Sequence, residues 1–165
     1  MNLFRTDFNA YTNKRYSNFR ALKLWYSSLG YRACINYRIQ SKVYNLGLFG
    51  KLIAIHYRNK NIKKYGVEIG IGTIIGENFC IGHVNGIVIG EGTKIGNNVT
   101  CLHQVTFGQR NGEYPIIKDN VMIYPGAKIL GNIILESNTI VGANALVLES
   151  TKQSAIVLSS KAIVK

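Results

Sequence analysis

The chain has 165 residues, 47% of them apolar, and a formal net charge of +12, which suits one domain, or a domain with a small appendage, and a real core. Three cysteines, Cys34, Cys80 and Cys101, lack metal-ligand spacing and read as reduced, buried thiols. No stretch is long and apolar enough to cross a bilayer, and the opening MNLFRTDFNAYTNKRYSNFR lacks the apolar core and cleavage site of a signal peptide, so a cytoplasmic protein is expected.

The charge is confined to the first third. Residues 1–66 carry 13 Lys or Arg and one acid, Asp7, while residues 67–165 carry seven of each sign. Thirteen of the 17 aromatic residues also precede residue 67. In chain order, NFRALKLWYSSLG predicts a helix capped by Ser17 or Asn18 and stopped at Gly30. YRACINYRIQSKVYNLG and LFGKLIAIHYRNKNIKKYG predict two more, with His56 structural. This segment reads as a helical cap on the rest of the chain. Its cations and aromatics also suit peripheral contact with an anionic inner-membrane leaflet. Charge alone would allow nucleic acid, but no recognition motif accompanies it, and none is expected as a partner.

From residue 67 the chain repeats every six residues. The positions Ile69, Ile75, Ile81, Ile87, then Ile89, Ile95, Cys101, Phe107, then Ile117, Ile123, Ile129, Leu135, Val141, Val147 are all apolar, and seven are followed directly by Gly. Four residues beyond many of them stand small or branched side chains such as Thr73, Thr93, Val99, Ala127 and Ala145. A helix of 3.6 residues per turn has no reason to repeat at six. A short strand plus a corner does, with one residue pointing fully inward, a second inward site kept small, and Gly relieving strain at the corner. Three units close a triangular coil, and coils stack at the strand spacing of about 4.8 Å. The fold class predicted is an all-β solenoid, a parallel β-helix over residues 67–158, preceded by the helical region 1–66 and followed by a tail, 159–165. An alternating β-sandwich does not predict a glycine-bearing period of six.

Two irregularities mark functional places, since a regular solenoid needs neither. The ladder slips by two residues between Ile87 and Ile89, just after His83, and GQRNGEYPI at 108–116 is too long for a corner and must protrude. Counting the slip, His103 falls one coil after His83 on the same face. Glu68, fifteen residues before His83, falls about one corner away, within reach of the imidazole.

The hexapeptide pattern resembles the left-handed β-helix acyltransferases, and the left hand is implied by that resemblance. VEIGIGTIIGENFCIGHVNGIVIGEGTKIGNNVT resembles the serine acetyltransferase family, whose members read roughly V-D-I-H-P and then D-H-A-T-G-I-V-I-G-E; PGAKILGNIIL and IVGANALVL resemble its later coils. The resemblance places His83 on the catalytic base and Glu68 on the acid that orients it. Glu113 and Tyr114 fall where serine-specific members hold substrate with an arginine and a histidine. The closer likeness is to short members of surface-polysaccharide synthesis, the colanic acid acetyltransferase type, which also carry a short basic N-terminal region. The implied partners are acetyl-CoA, lying in a groove against Gln109, Pro125, Gly142 and Ala143 with Lys128, Lys152 or Arg110 on a phosphate, and two further copies in a homotrimer.

The reaction implied is O-acetyl transfer from acetyl-CoA, with His83 as general base for a poor hydroxyl nucleophile, a role worth about 10²–10⁴-fold. The cysteines sit on or beside inward positions, which favours direct transfer over an acyl-enzyme. His103 either lines the acceptor site or fills the ladder. The acceptor expected is a sugar hydroxyl of a surface polysaccharide or its precursor, with Tyr114 facing the ring. The alternatives are serine O-acetyl transfer and, from another class, a non-catalytic scaffold. A zinc enzyme of this fold would need three histidines in the solenoid, and only two are present; no metal is expected.

Overall fold

The computed structural model describes residues 3–160. The expected tail, 159–165, lies outside them from residue 161 onward. Five helices come first: α1 (Leu3–Thr6), α2 (Phe8–Tyr11), α3 (Asn18–Ser27), α4 (Leu29–Val43) and α5 (Gly47–Tyr65). Ser17 caps α3, its hydroxyl accepting from the Arg20 N–H. Gly30 does not stop that helix. Ser28 does, because its side chain accepts from the Tyr31 N–H and so starts α4 at once. Gly30 lies inside α4 because the helix passes so close to the solenoid that a Cβ there would overlap the Ile81 carbonyl. At the far end, Gly66 adopts the left-handed conformation that closes α5.

From Val67 the chain winds as a left-handed parallel β-helix. One face stacks β1 (Val67–Ile69), β4 (Ile87–Ile89), β7 (Thr106–Gly108), β10 (Lys128–Leu130) and β13 (Leu146–Val147). The second stacks β2 (Ile74–Ile75), β5 (Lys94–Ile95), β8 (Ile116–Ile117) and β11 (Ile134–Leu135). The third stacks β3 (Cys80–Ile81), β6 (Thr100–Cys101), β9 (Met122–Ile123), β12 (Ile140–Val141) and β14 (Ile156–Val157). All fourteen ladder positions read from the sequence are buried inside it, and so are the small second positions Thr73, Thr93, Val99, Ala127 and Ala145. Burying each large ladder side chain contributes about 1.5–3 kcal/mol.

The registers locate the two irregularities. Val67 pairs with Ile87 and Cys80 with Thr100, so the first coil takes twenty residues. Thr100 pairs with Met122 at twenty-two, and Ile116 with Ile134 at the regular eighteen. The first slip is not between Ile87 and Ile89, both of which face inward in one strand. It falls just before them, in the corner 82–86, where Asn85 (φ 87°) and Gly86 (φ 70°) are both left-handed and absorb the two extra residues. The four extra residues of the second coil form a tight hairpin. Arg110 and Glu113 exchange backbone hydrogen bonds across an Asn111-Gly112 turn, both of whose residues have positive φ.

The strain at the corners falls on asparagine rather than on the glycines that follow the ladder residues. Asn78, Asn98 and Asn120 hold positive φ at successive turns of one corner, and their side-chain amides join into a ladder, Asn78 to Asn98 at 3.1 Å and Asn98 to Asn120 at 3.0 Å. Glycines such as Gly70 and Gly76 serve close approach instead: a Cβ on Gly76 would lie 2.6 Å from the Gly96 carbonyl oxygen of the next coil.

The helical region closes the open end of the solenoid. Edge strands present unpaired backbone groups, and α4 meets them with side chains. The Tyr37 hydroxyl donates to the Thr73 carbonyl at 2.9 Å and accepts from the Ile75 N–H at 3.1 Å. Gln40 donates to the carbonyls of Ile69 and Gly70, and Arg38 to that of Ile75 at 2.6 Å. Arg38 also forks onto the buried Asp7 carboxylate, at 2.9 and 2.7 Å, which in turn accepts from the Phe79 N–H at 3.0 Å.

Candidate active site

One corner of the solenoid, between the third face and the first, gathers His83, His103, Pro125, Gly142 and Ala143 of the residues singled out from the sequence. Ile81, Cys101, Ile123 and Val141 pair in succession down the third face. His83, His103, Pro125 and Ala143 each lie two residues further on and so form a column, one per coil. The His83 and His103 rings meet edge to face with centroids 5.9 Å apart. His83 is exposed at the enlarged corner, and His103 is half-buried behind it. Backbone bonds hold the column together: Gln104 N–H to Asn85 O at 3.0 Å, Gly126 N–H to His103 O at 3.0 Å, Asn144 N–H to Pro125 O at 2.8 Å.

The residues expected to line a pantetheine groove divide by what their amides already do. Pro125 has no N–H to give. The Gly142 N–H is engaged by the Val157 carbonyl at 2.7 Å, so it is not free for a ligand as the resemblance implied. Ala143 and Gln109 are exposed residues, and their amides have no backbone acceptor among the described residues. Ala143 belongs to the histidine column, whereas Gln109 sits at the next corner, after β7. The Lys128 ammonium donates to the Gln104 carbonyl at 2.6 Å and so braces the His103 coil, rather than standing open for a phosphate. Arg110 is exposed in the hairpin, and Lys152 is exposed beyond β13.

Glu68 does not meet His83. It projects from the middle strand position of the first face, away from the corner, and pairs with Arg58 of α5. Spacing of fifteen residues brought it near the right coil, but side-chain direction turned it toward the helical cap. Arg58 was not singled out from the sequence; only its place on the last helix, one coil edge from Glu68, could have signalled it. The two line a pocket of about 330 Å³ with Gly70, Val88, Glu91 and Tyr114.

Tyr114 leaves the hairpin and folds back. Its ring lies flat on Gly90 and Gly92, where a Cβ at either position would overlap it. Pro115 behind it is buried, while Glu113 remains exposed in the hairpin. Tyr114 therefore walls the Glu68 pocket, and Glu113 stands outside it.

The thiols are set apart from this corner. Cys101 is buried in the ladder, and burial holds it, like Cys34, well above the usual thiol range. Burial likewise pushes Cys80 up to about 11, although it stands only three residues before His83. None is a ready nucleophile. His56 is exposed on α5, its ring edge against Tyr57 at 5.6 Å.

Residues 114–149 match the family model described as bacterial transferase hexapeptide (six repeats). Among curated proteins, a serine acetyltransferase of Staphylococcus aureus is 41% identical over 125 residues, covering 73% of this chain and 58% of the relative. By that likeness the chain is similar to serine acetyltransferases, and part of its solenoid matches the bacterial transferase hexapeptide repeat. A serine acetyltransferase from Staphylococcus epidermidis is 48% identical over 89 residues, 52% of this chain and 42% of the relative. The chain thus spans less than two thirds of the length of these relatives. Among solved structures, serine acetyltransferase isoform 3 of Entamoeba histolytica, in complex with cysteine, superposes with a TM-score of 0.84 at 32% identity, covering 99% of this chain and 59% of that one. A serine acetyltransferase in complex with CoA gives 0.82 at 31% identity, 96% of this chain and 66% of that one. The likeness to polysaccharide O-acetyltransferases expected from the sequence finds no support among these relatives, which carry the name of the alternative instead.

Proposed function

We propose that the protein is an acetyl-CoA-dependent O-acetyltransferase whose acceptor is the hydroxyl of serine, with His83 as general base. The observation that carries this reading is the position of His83. It is an exposed histidine at the one enlarged corner on the third-to-first-face edge, in a chain similar along nearly its whole length to solved serine acetyltransferases. The imidazole takes the hydroxyl proton as the oxygen attacks the thioester carbonyl of acetyl-CoA. The tetrahedral adduct then collapses, the C–S bond breaks, and the imidazolium returns the proton to the departing thiolate. The products are the acetyl ester and free CoA. The buried thiols favour this direct transfer over an acyl-enzyme.

The column below His83 suits the donor. CoA is long, and the amide of Ala143, an exposed residue two coils beyond His103 with no backbone acceptor among the described residues, offers a donor along the same edge. The assembly we propose is a homotrimer, in which the flat faces of neighbouring solenoids pack and the 108–116 hairpin reaches toward the adjacent copy. The setting is cytoplasmic, where acetyl-CoA is present.

One observation keeps a second acceptor class in view. Glu113, exposed on the hairpin, would repel a carboxylate where the resembled serine enzymes place an arginine, and Tyr114 offers an aromatic wall that suits a sugar ring. The deciding experiment is a competition assay with purified protein, acetyl-CoA, L-serine and surface glycans, read by thiol release and mass of the products. Acetylserine formed with kcat/KM above every glycan is the expected result. Acetylated glycan with serine left untouched would overturn the serine reading in favour of a sugar hydroxyl.

A further inference from the structure

We propose that the helical cap carries a docking surface for an anionic lipid bilayer, formed by the outer side of α3 and the groove beside it. The groove lies between α2, the turn at 12–17 and α3, and has a volume of about 500 Å³. Phe8, Tyr11 and Leu24 give it an apolar lining, while Lys14, Arg20 and Lys23 rim it with cations; no residue lining it is acidic. The wider surface offers no compensation from its own segment. Asp7, the one acid in residues 1–66, is fully buried and held by Arg38.

The apolar half of the surface is equally plain. Helix α3 buries only Ala21. On its opposite side Phe19, Leu22 and Tyr26 stand at helical spacings of three and four, and they are 78%, 58% and 78% exposed. Lys23 shares that side, and Phe19 also lines the groove. Two aromatics and a leucine flanked by lysine and arginine make the pattern of an interfacial helix: apolar side chains enter the headgroup boundary while cations meet lipid phosphates.

Charge decides between this occupant and a second copy of the chain. A two-fold contact would set the patch against itself, bringing Lys14, Arg20 and Lys23 against the same cations with no acid of the patch between them, an arrangement that like-charge repulsion disfavours. An anionic bilayer satisfies both halves at once.

The test is co-sedimentation of the full-length protein with vesicles of phosphatidylcholine alone or mixed with phosphatidylglycerol. Binding to the mixed vesicles should exceed binding to the neutral ones at least tenfold, and about 0.5 M salt should weaken it several-fold. The variant K14E/R20E/K23E should lose the preference for anionic vesicles, and F19S/L22S/Y26S should bind them at least tenfold more weakly, each with an unchanged circular dichroism spectrum. If either fails to fold, the single changes K23E and Y26S should show the same directions at smaller size. Equal binding to neutral and anionic vesicles, or none to either, overturns the proposal. So does tight binding to duplex nucleic acid that F19S/L22S/Y26S leaves intact, or loss of self-association in that variant while its vesicle binding stays at the wild-type level.

Discussion

His83 and His103 are ring neighbours, 5.9 Å apart with planes at 74°, because the first coil is two residues too long. In a regular eighteen-residue coil position 101 would stand beside 83, and Cys101 is an inward ladder residue. The extra Asn85-Gly86 turn shifts the register, so that His103 lands behind His83 and the enlarged corner pushes His83 outward. The corner therefore both exposes the imidazole and gives it a polar ring to lean on.

If His83 is the base, His83→Ala should lower thioester turnover at least about a hundredfold while acetyl-CoA still binds. His103→Ala should act more mildly, since it removes a neighbour rather than the base. Initial rates by thiol release, with acetyl-CoA affinity measured by calorimetry, check both. Near-normal turnover in the His83 variant would return the histidine to a structural part.

The Arg58–Glu68 pair separates two roles for the acid. Its carboxylate faces α5 rather than His83, so its effect on the base is indirect. Glu68→Gln should therefore raise KM for the acceptor more than it lowers kcat, and Arg58→Gln should reproduce that pattern. A loss confined to kcat in the Glu68 variant, with the Arg58 variant unaffected, would restore Glu68 as the group that orients His83.

The solenoid was legible because its signal repeats: fourteen inward positions each say the same thing, and a single exception would have been outvoted. The stacking of His83 on His103 followed from the same counting. What the sequence did not disclose was direction. Nothing in the fifteen-residue spacing says whether Glu68 points along the corner or toward a helix, and the partner that settles it, Arg58, comes from the non-repeating region. Corner chemistry was misread for a related reason. A glycine after an inward residue looks like a turn signal, yet Gly70 and Gly76 serve close coil contact, while the left-handed turns went to Asn78, Asn98 and Asn120, whose side chains also bond one another. Helix ends suffered similarly: Ser28 serves as both stop and start, which leaves Gly30 to a packing role that only the Ile81 carbonyl reveals.

The junction of cap and solenoid rests on one buried charge pair. Asp7 and Arg38 are 0% and 7% exposed, and removing one partner of such a pair costs about 3–5 kcal/mol because the other is left uncompensated. Asp7→Ala should destabilise by that order in urea unfolding, and its loss also orphans the Phe79 N–H. The double change Asp7→Leu with Arg38→Met should be less destabilising than Asp7→Ala alone. Additive losses in the double variant would show that the two side chains act separately.

Stability should fall in alkali, and the thiols set the sign. Burial raises Cys80 from an ordinary value of 9.0 to about 11 and raises Cys34 and Cys101 above the same value, so the fold prefers each neutral thiol. Below pH 9 folded and unfolded chains hold these protons alike, and the contribution is fully present. As pH rises past 9 the unfolded chain releases them first, which pulls the equilibrium toward unfolding until pH passes the folded value. For Cys80 alone the loss between pH 9 and 11 is about 2–3 kcal/mol, at roughly 1.4 kcal/mol for each unit of difference. Half-buried Tyr11 and buried Tyr37, also raised by desolvation, add to it in the same direction above pH 10. Urea midpoints should therefore hold steady from pH 7 to 8.5 and drop from pH 9 to 10.5. Cys80→Ala should start from a slightly lower midpoint, because a small void replaces the sulfur, and should lose less across the same range. A thiol reagent at pH 8 should label none of the three cysteines until urea is added. A midpoint independent of pH up to 10.5, or rapid labelling of the native protein, would mean that the solenoid admits water to its cysteines.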